Sequence, residues 1–156
     1  HRPTALVLTR QNLPTLDRAV YAAAEGLRHG AYVLADLGAG EPQVILMASG
    51  SEVGLIVQAG KRLEAQGVRV RLVSFPSWEL FAEQDAAYQD SVLLPEVLHR
   101  LAVEAGISQG WHRWIGPHGR LLTLDRYGAS GPAAQVFKNL GFSVENIETI
   151  VLDMLG

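Results

Sequence analysis

The chain has 156 residues, 48% apolar and 19% charged, which supports one domain with a buried core and excludes a disordered segment. A net charge of -3 offers no basic field to a phosphate backbone, which argues against a nucleic-acid binder. The absence of Cys excludes a disulfide scaffold, a cysteine nucleophile and thiolate-held metals.

In chain order, Thr4 to Thr9 is a short apolar run that predicts a buried strand, broken by Gln11-Asn12-Leu13-Pro14. Thr15 to Leu27 lacks a sharp period and reads as a linker. Ala31 to Leu34 predicts a short strand and Gly38 to Pro42 a turn. Gln43 to Ala48 is continuously apolar, as a strand covered on both faces should be. Ser49 and Glu52 stand in capping-box relation, so a helix should start there. Val53, Ile56, Val57, Gly60 and Leu63 repeat at helical spacing, and Gly67 is placed to end that helix. Val68 to Val73 completes a strand–helix–strand unit, which implies a parallel pair.

Ser77 predicts the cap of a short helix at Trp78, and Asp85 to Asp90 predicts another helical turn. His99 to Glu104 and Arg120 to Leu124 predict two further strands. Gly131-Pro132 should open a helix with Ala133, Val136, Phe137 and Leu140 on one face. Val144, Ile147, Val151 and Met154 mark a last amphipathic helix after Ser143. The sum is a three-layer α/β domain from about residue 30 onward. The strand and linker before it read as left over from an upstream domain. No apolar run approaches the ~20 residues of a membrane span. His1-Arg2-Pro3-Thr4 lacks both an initiator Met and a signal-peptide stretch, so the chain is expected to be a soluble piece of something longer.

Candidate sites are few. Ser49-Gly50-Ser51 joins a strand to a helix, where free amides and the helix dipole suit an anion; an ordinary helix start is the alternative. Asp125 and Ser130 flank a second glycine-rich junction at a strand's carboxyl end, where open sheets bind ligands; a tight turn with a surface ion pair is the alternative. The five histidines, at 1, 29, 99, 112 and 118, have no metal-ligand spacing. Trp111-His112-Arg113-Trp114 suits either a subunit contact or core packing. Arg10 ends the first strand, and its guanidinium is suited to phosphate or carboxylate, although spacing alone favours an exposed structural arginine.

Leu8-Thr9-Arg10-Gln11-Asn12-Leu13-Pro14 resembles a segment of the transketolases. The likeness continues through Ala48-Ser49-Gly50-Ser51-Glu52-Val53 and Val73-Ser74-Phe75-Pro76-Ser77-Trp78-Glu79-Leu80-Phe81. It goes on with Val103-Glu104-Ala105-Gly106, Tyr127 to Ala133 and Leu140 to Ile147, in family order over nearly the whole chain. Thr9 and Gly131 depart from the commonest family residues, and the Trp111 to Trp114 cluster is less Tyr-rich than in relatives.

The resemblance implies that residues 1–29 are the last strand of a pyrimidine-binding domain plus a linker. Residues 30–156 would be the transketolase C-terminal domain, a three-layer α/β/α sandwich on a mostly parallel five-stranded sheet with one antiparallel strand. It implies an enzyme of the pentose phosphate pathway that moves a two-carbon ketol unit from a ketose phosphate to an aldose phosphate. Thiamine diphosphate and Mg2+ or Ca2+ would be held by upstream domains, with no cofactor, metal or catalytic residue in this chain. The partners implied are those upstream domains, a second copy in a homodimer, and sugar phosphates, in a cytoplasmic enzyme without nucleic-acid or membrane contact. Arg10 alone matches a family site residue, the arginine that grips the sugar phosphate. The fragment by itself is then expected to be catalytically silent, structural and dimer-supporting. The alternatives are a stand-alone regulatory module binding an anion or nucleotide, and the last domain of another thiamine diphosphate enzyme.

Overall fold

A computed structural model describes residues 3–9 and 11–156. Five strands, β1 (Tyr32–Leu37), β2 (Val44–Ala48), β3 (Val70–Ser74), β4 (Arg100–Val103) and β5 (Arg120–Leu122), form one sheet in the order β1-β3-β2-β4-β5. The β2–β3, β2–β4 and β4–β5 pairs are parallel, and β1 runs antiparallel to β3. The sheet is therefore the mixed one expected, and β1 is its odd strand. Its register shifts between Val33 and Ala35, an irregularity typical of a sheet edge.

β2 lies at the centre, and all five of its residues are buried, as its unbroken apolar run requires. Val44, Leu46 and Ala48 face one layer, and Ile45 and Met47 face the other. The first layer holds α1 (Val53–Ala65), which buries Ile56, Val57, Ala59, Gly60 and Leu63. The second layer is built from α2 (Trp78–Ala82), α3 (Ala86–Leu93) and α4 (His112–Ile115), which contribute Phe81, Val92, Leu93, Trp114 and Ile115. α5 (Ala133–Asn139) and α6 (Val144–Leu155) return to the first layer, where α6 buries Val144, Ile147 and Val151. Arg62 of α1 ties the two long helices together by pairing with Glu145 at 2.9 Å and Glu148 at 3.1 Å.

Helix boundaries follow local chemistry at most ends. Ser77, Asp85 and Ser143 each accept a hydrogen bond from the backbone three residues on, capping α2, α3 and α6. Gly67 adopts φ +84 just past α1, and the Val68 amide closes back on the Leu63 carbonyl at 3.0 Å.

Several expectations are corrected. Residues 4–9 form no strand: none of the described strands pairs with this segment, and Leu6, Val7 and Leu8 are exposed. The supposed capping box does not form. Helix α1 is preceded by a 3-10 turn at Gly50–Glu52, and Ser49 makes no side-chain cap. The linker is partly structured, with a 3-10 turn at Ala24–His29 and a buried Tyr21. Finally, β5 stops at Leu122, and α4 occupies a stretch where no helix was expected. The face foreseen on α5 is only partly covered, since none of its residues is fully buried.

Candidate functional site

In a parallel sheet the loops that leave the carboxyl ends of the strands gather along one crest, where ligands usually bind. Here the crest carries Ser49 after β2, Phe75 to Ser77 after β3, Glu104 to Gly106 after β4 and Thr123 to Asp125 after β5. A cleft of about 320 Å³ opens at its centre, walled by Ser49, Phe75, Trp78, Glu104, Ile107 and Trp111 among others.

Ser49 and Glu104 meet across the two adjacent strands β2 and β4. The Ser49 hydroxyl donates to Glu104 Oε2 at 2.7 Å, which turns it across the sheet instead of back over the first amides of the helix. Glu52 is buried in the first turn beyond Ser49, and its Oε1 accepts a 2.8 Å hydrogen bond from the Ser51 hydroxyl. Burial pushes the Glu52 carboxyl above its ordinary range, partly offset by Ser51 and by nearby backbone amides. Burial also raises Glu104, with the Ser49 bond opposing and the Glu52 charge adding to the rise. An anion at Ser49-Gly50-Ser51 would therefore sit beside two carboxylates. Among the described residues the charged ones lining the cleft are Glu79 and Glu104, with no Lys or Arg.

The second junction stands apart. Asp125 accepts from the Ser108 amide at 2.9 Å and the Ser108 hydroxyl at 3.0 Å, which hold its carboxyl below the usual range, the amide contributing most. Its partner is thus Ser108 rather than the neighbouring Arg126, whose Nε lies 3.4 Å from the Tyr127 carbonyl. Ser130 lies exposed in the following loop. Asp125 lines a separate hollow with Thr123, Arg126 and Asn139, so β4 and its loop divide the two sets of candidates.

The aromatic cluster is core. Trp111 is 1% and Trp114 5% exposed; both rings meet Phe75, at 5.4 and 5.3 Å. The Trp111 indole Nε1 is buried without a hydrogen-bond partner among the described residues. Only His112 and Arg113 face outward, with the Arg113 guanidinium 4.5 Å above the Trp114 ring. Spacing of three residues along one helical turn was the signal that Trp111 and Trp114 share a buried side. Glu104 was missed as a site residue, although a carboxylate ending the apolar run Leu101–Val103 marks a strand's carboxyl end.

Arg10 lies outside the described residues. Among the described residues no group of three or more His, Asp or Glu is arranged to hold a metal, and no helix is long and apolar enough to cross a membrane.

With this geometry in hand, the comparisons are specific. Residues 30–143 match the family described as transketolase-like TK C-terminal domain. The transketolase of Geobacillus stearothermophilus is 46% identical over 155 residues, covering 99% of this chain and 23% of that protein. That of Halalkalibacterium halodurans is 47% identical over 146 residues, 94% of this chain and 22% of that protein. The structure of a Pichia stipitis transketolase complex with sedoheptulose-7-phosphate superposes with a TM-score of 0.81 at 35% identity, covering 94% of this chain and 20% of that one. The chain thus spans about a fifth of the length of the relatives it matches.

Proposed function

The chain belongs to the transketolase-like C-terminal domain family, and we propose that it works as the C-terminal part of a longer transketolase. That enzyme would move a two-carbon ketol unit from a ketose phosphate to an aldose phosphate, in the pentose phosphate pathway of the cytoplasm. The observation that carries this reading is identity of 46% running through 99% of the chain against a transketolase. The Pichia stipitis complexes with xylulose-5-phosphate and sedoheptulose-7-phosphate support sugar phosphates as the substrate class.

Residues 1–29 are read as the end of a pyrimidine-binding domain and a linker, and residues 30–156 as the C-terminal domain. Thiamine diphosphate with Mg2+ or Ca2+ supplies the carbanion chemistry when bound, and its holders are assigned to the upstream domains. This chain's own contribution to substrate is Arg10, whose planar guanidinium suits a bidentate phosphate contact. Gripping the phosphate uses binding energy far from the carbonyl to orient it. The rest of the chain is assigned to support of the homodimer and the domain architecture.

The test is the longer native polypeptide, purified and supplied with thiamine diphosphate and Mg2+. Ketol transfer from xylulose-5-phosphate to an aldose phosphate is the expected result. A polypeptide that binds thiamine diphosphate yet transfers no two-carbon unit would overturn the reading.

A further inference from the structure

We infer that Glu52 and Glu104 form a proton-operated latch between the loop that leaves β2 and the loop that leaves β4. The latch is closed while one of the two carboxyls keeps its proton, and it loosens when both are ionised. It is a property of the fold and stands apart from the reading of this chain as part of a transketolase.

Among the described residues, side chains rather than backbone bonds hold these two loops together. β2 and β4 run as a parallel pair up to Ala48 and Val103, and beyond that pair the chains diverge. The Glu104 amide donates to the Leu122 carbonyl at 3.0 Å and the Leu124 amide to the Gly106 carbonyl at 2.8 Å, which ties the second loop toward β5. The Glu52 amide turns back to the Ser49 carbonyl at 3.2 Å, within its own loop. What crosses between the loops is the Ser49 hydroxyl, bonded to Glu104, and the Glu52 carboxyl, which faces the Ala105 amide.

The charges around the pair all have one sign. Glu79 on α2 adds a third carboxylate to the cleft, and Asp125 beyond β5 is held by Ser108. Among the described residues no Lys, Arg or His lines the cleft or acts on either carboxyl. Two ionised carboxylates without a cation repel, and with Glu52 only 4% exposed little water separates their charges. A carboxyl that keeps its proton removes the repulsion and gains an O–H donor. The upward push that burial gives both groups acts in the same direction. The two protons leave as a coupled pair, and the second ionisation draws water between the loops. Ser49 and Glu104 wall the central cleft, so its mouth widens at that step.

Hydrogen exchange of the full-length protein, read by mass spectrometry and corrected for the intrinsic pH dependence of exchange, tests this directly. Peptides covering Ser49 to Val53 and Glu104 to Ile107 report the latch, and the buried strand Val44–Ala48 is the reference. From about pH 5 to about pH 8 the protection of both loops should fall several-fold relative to that strand. Glu52→Gln and Glu104→Gln each leave one carboxyl to ionise, so either variant should hold its loop protection flat over the same range. A flat profile in the unsubstituted protein would overturn the inference, and this measurement stands even where a variant fails to fold. So would a fall as steep in the variants, which would assign the effect to another group. A fall shared equally by Val44–Ala48 would overturn it too, because it would report loosening of the whole domain and not of the latch.

Discussion

The Ser49 hydroxyl donates a 2.7 Å hydrogen bond to Glu104, joining the carboxyl ends of β2 and β4 through residues 55 apart in sequence. This bond diverts Ser49 from the helix cap that its spacing to Glu52 suggests, and it brings two carboxylates to one helix start. Both are held above their ordinary range chiefly by burial. For a carboxyl raised on folding, the stabilising contribution is full below the unfolded value near 4.5 and is lost as pH rises through the folded value. Urea titrations of the full-length protein should therefore show the C-terminal domain losing stability as pH climbs above that range. Glu52→Gln should flatten the loss and raise the unfolding midpoint at neutral pH. A midpoint lowered at neutral pH by this substitution would contradict the assignment.

Gly30 is the hinge between the linker and β1, with φ +83 and its carbonyl accepting from the Ser77 amide at 2.9 Å. A Cβ here would lie 2.2 Å from the Phe81 amide nitrogen and 2.4 Å from the Ser77 carbonyl oxygen, both backbone atoms that cannot swing away. Gly30→Ala is expected to cost about 3 kcal/mol or more, combining left-handed strain with displacement of α2. Denaturant unfolding checks it, and a loss below about 1 kcal/mol would show that the junction relaxes.

Trp111 and His112 are neighbours with opposite environments. Trp111→Ala should cost about 3–5 kcal/mol by opening a cavity against Phe75 and Trp78. His112→Ala, on the exposed face, should stay within about 0.5 kcal/mol. Similar small effects from both would return the cluster to the surface contact that its composition also allowed.

Much of this architecture is legible in local pattern. The apolar run of β2, the period of α1 and α6 and the caps at Ser77 and Ser143 each rest on residues within a few positions of one another. What escapes local pattern is set by distant partners. Ser49 is claimed by Glu104, Asp125 by Ser108, and β1 becomes antiparallel because of where it meets β3. Residues 4–9 have strand-forming side chains, but strand formation needs a paired neighbour, and none of the described strands pairs with them. The site was less legible than the fold. The two glycine-rich junctions read alike in sequence, yet one is flanked by buried carboxylates and the other is locked by a serine from the preceding loop.

The central claim is that this chain supplies one substrate contact, and no cofactor contact, to a transketolase. The most direct measurement is steady-state ketol transfer by the full-length enzyme carrying Arg10→Ala, with phosphorylated and unphosphorylated donors compared. Loss of the guanidinium should raise KM for phosphorylated sugars by the equivalent of about 1.5–3 kcal/mol and leave unphosphorylated ones and thiamine diphosphate affinity nearly unchanged. Equal losses on both donor types, or a weakened cofactor, would contradict it.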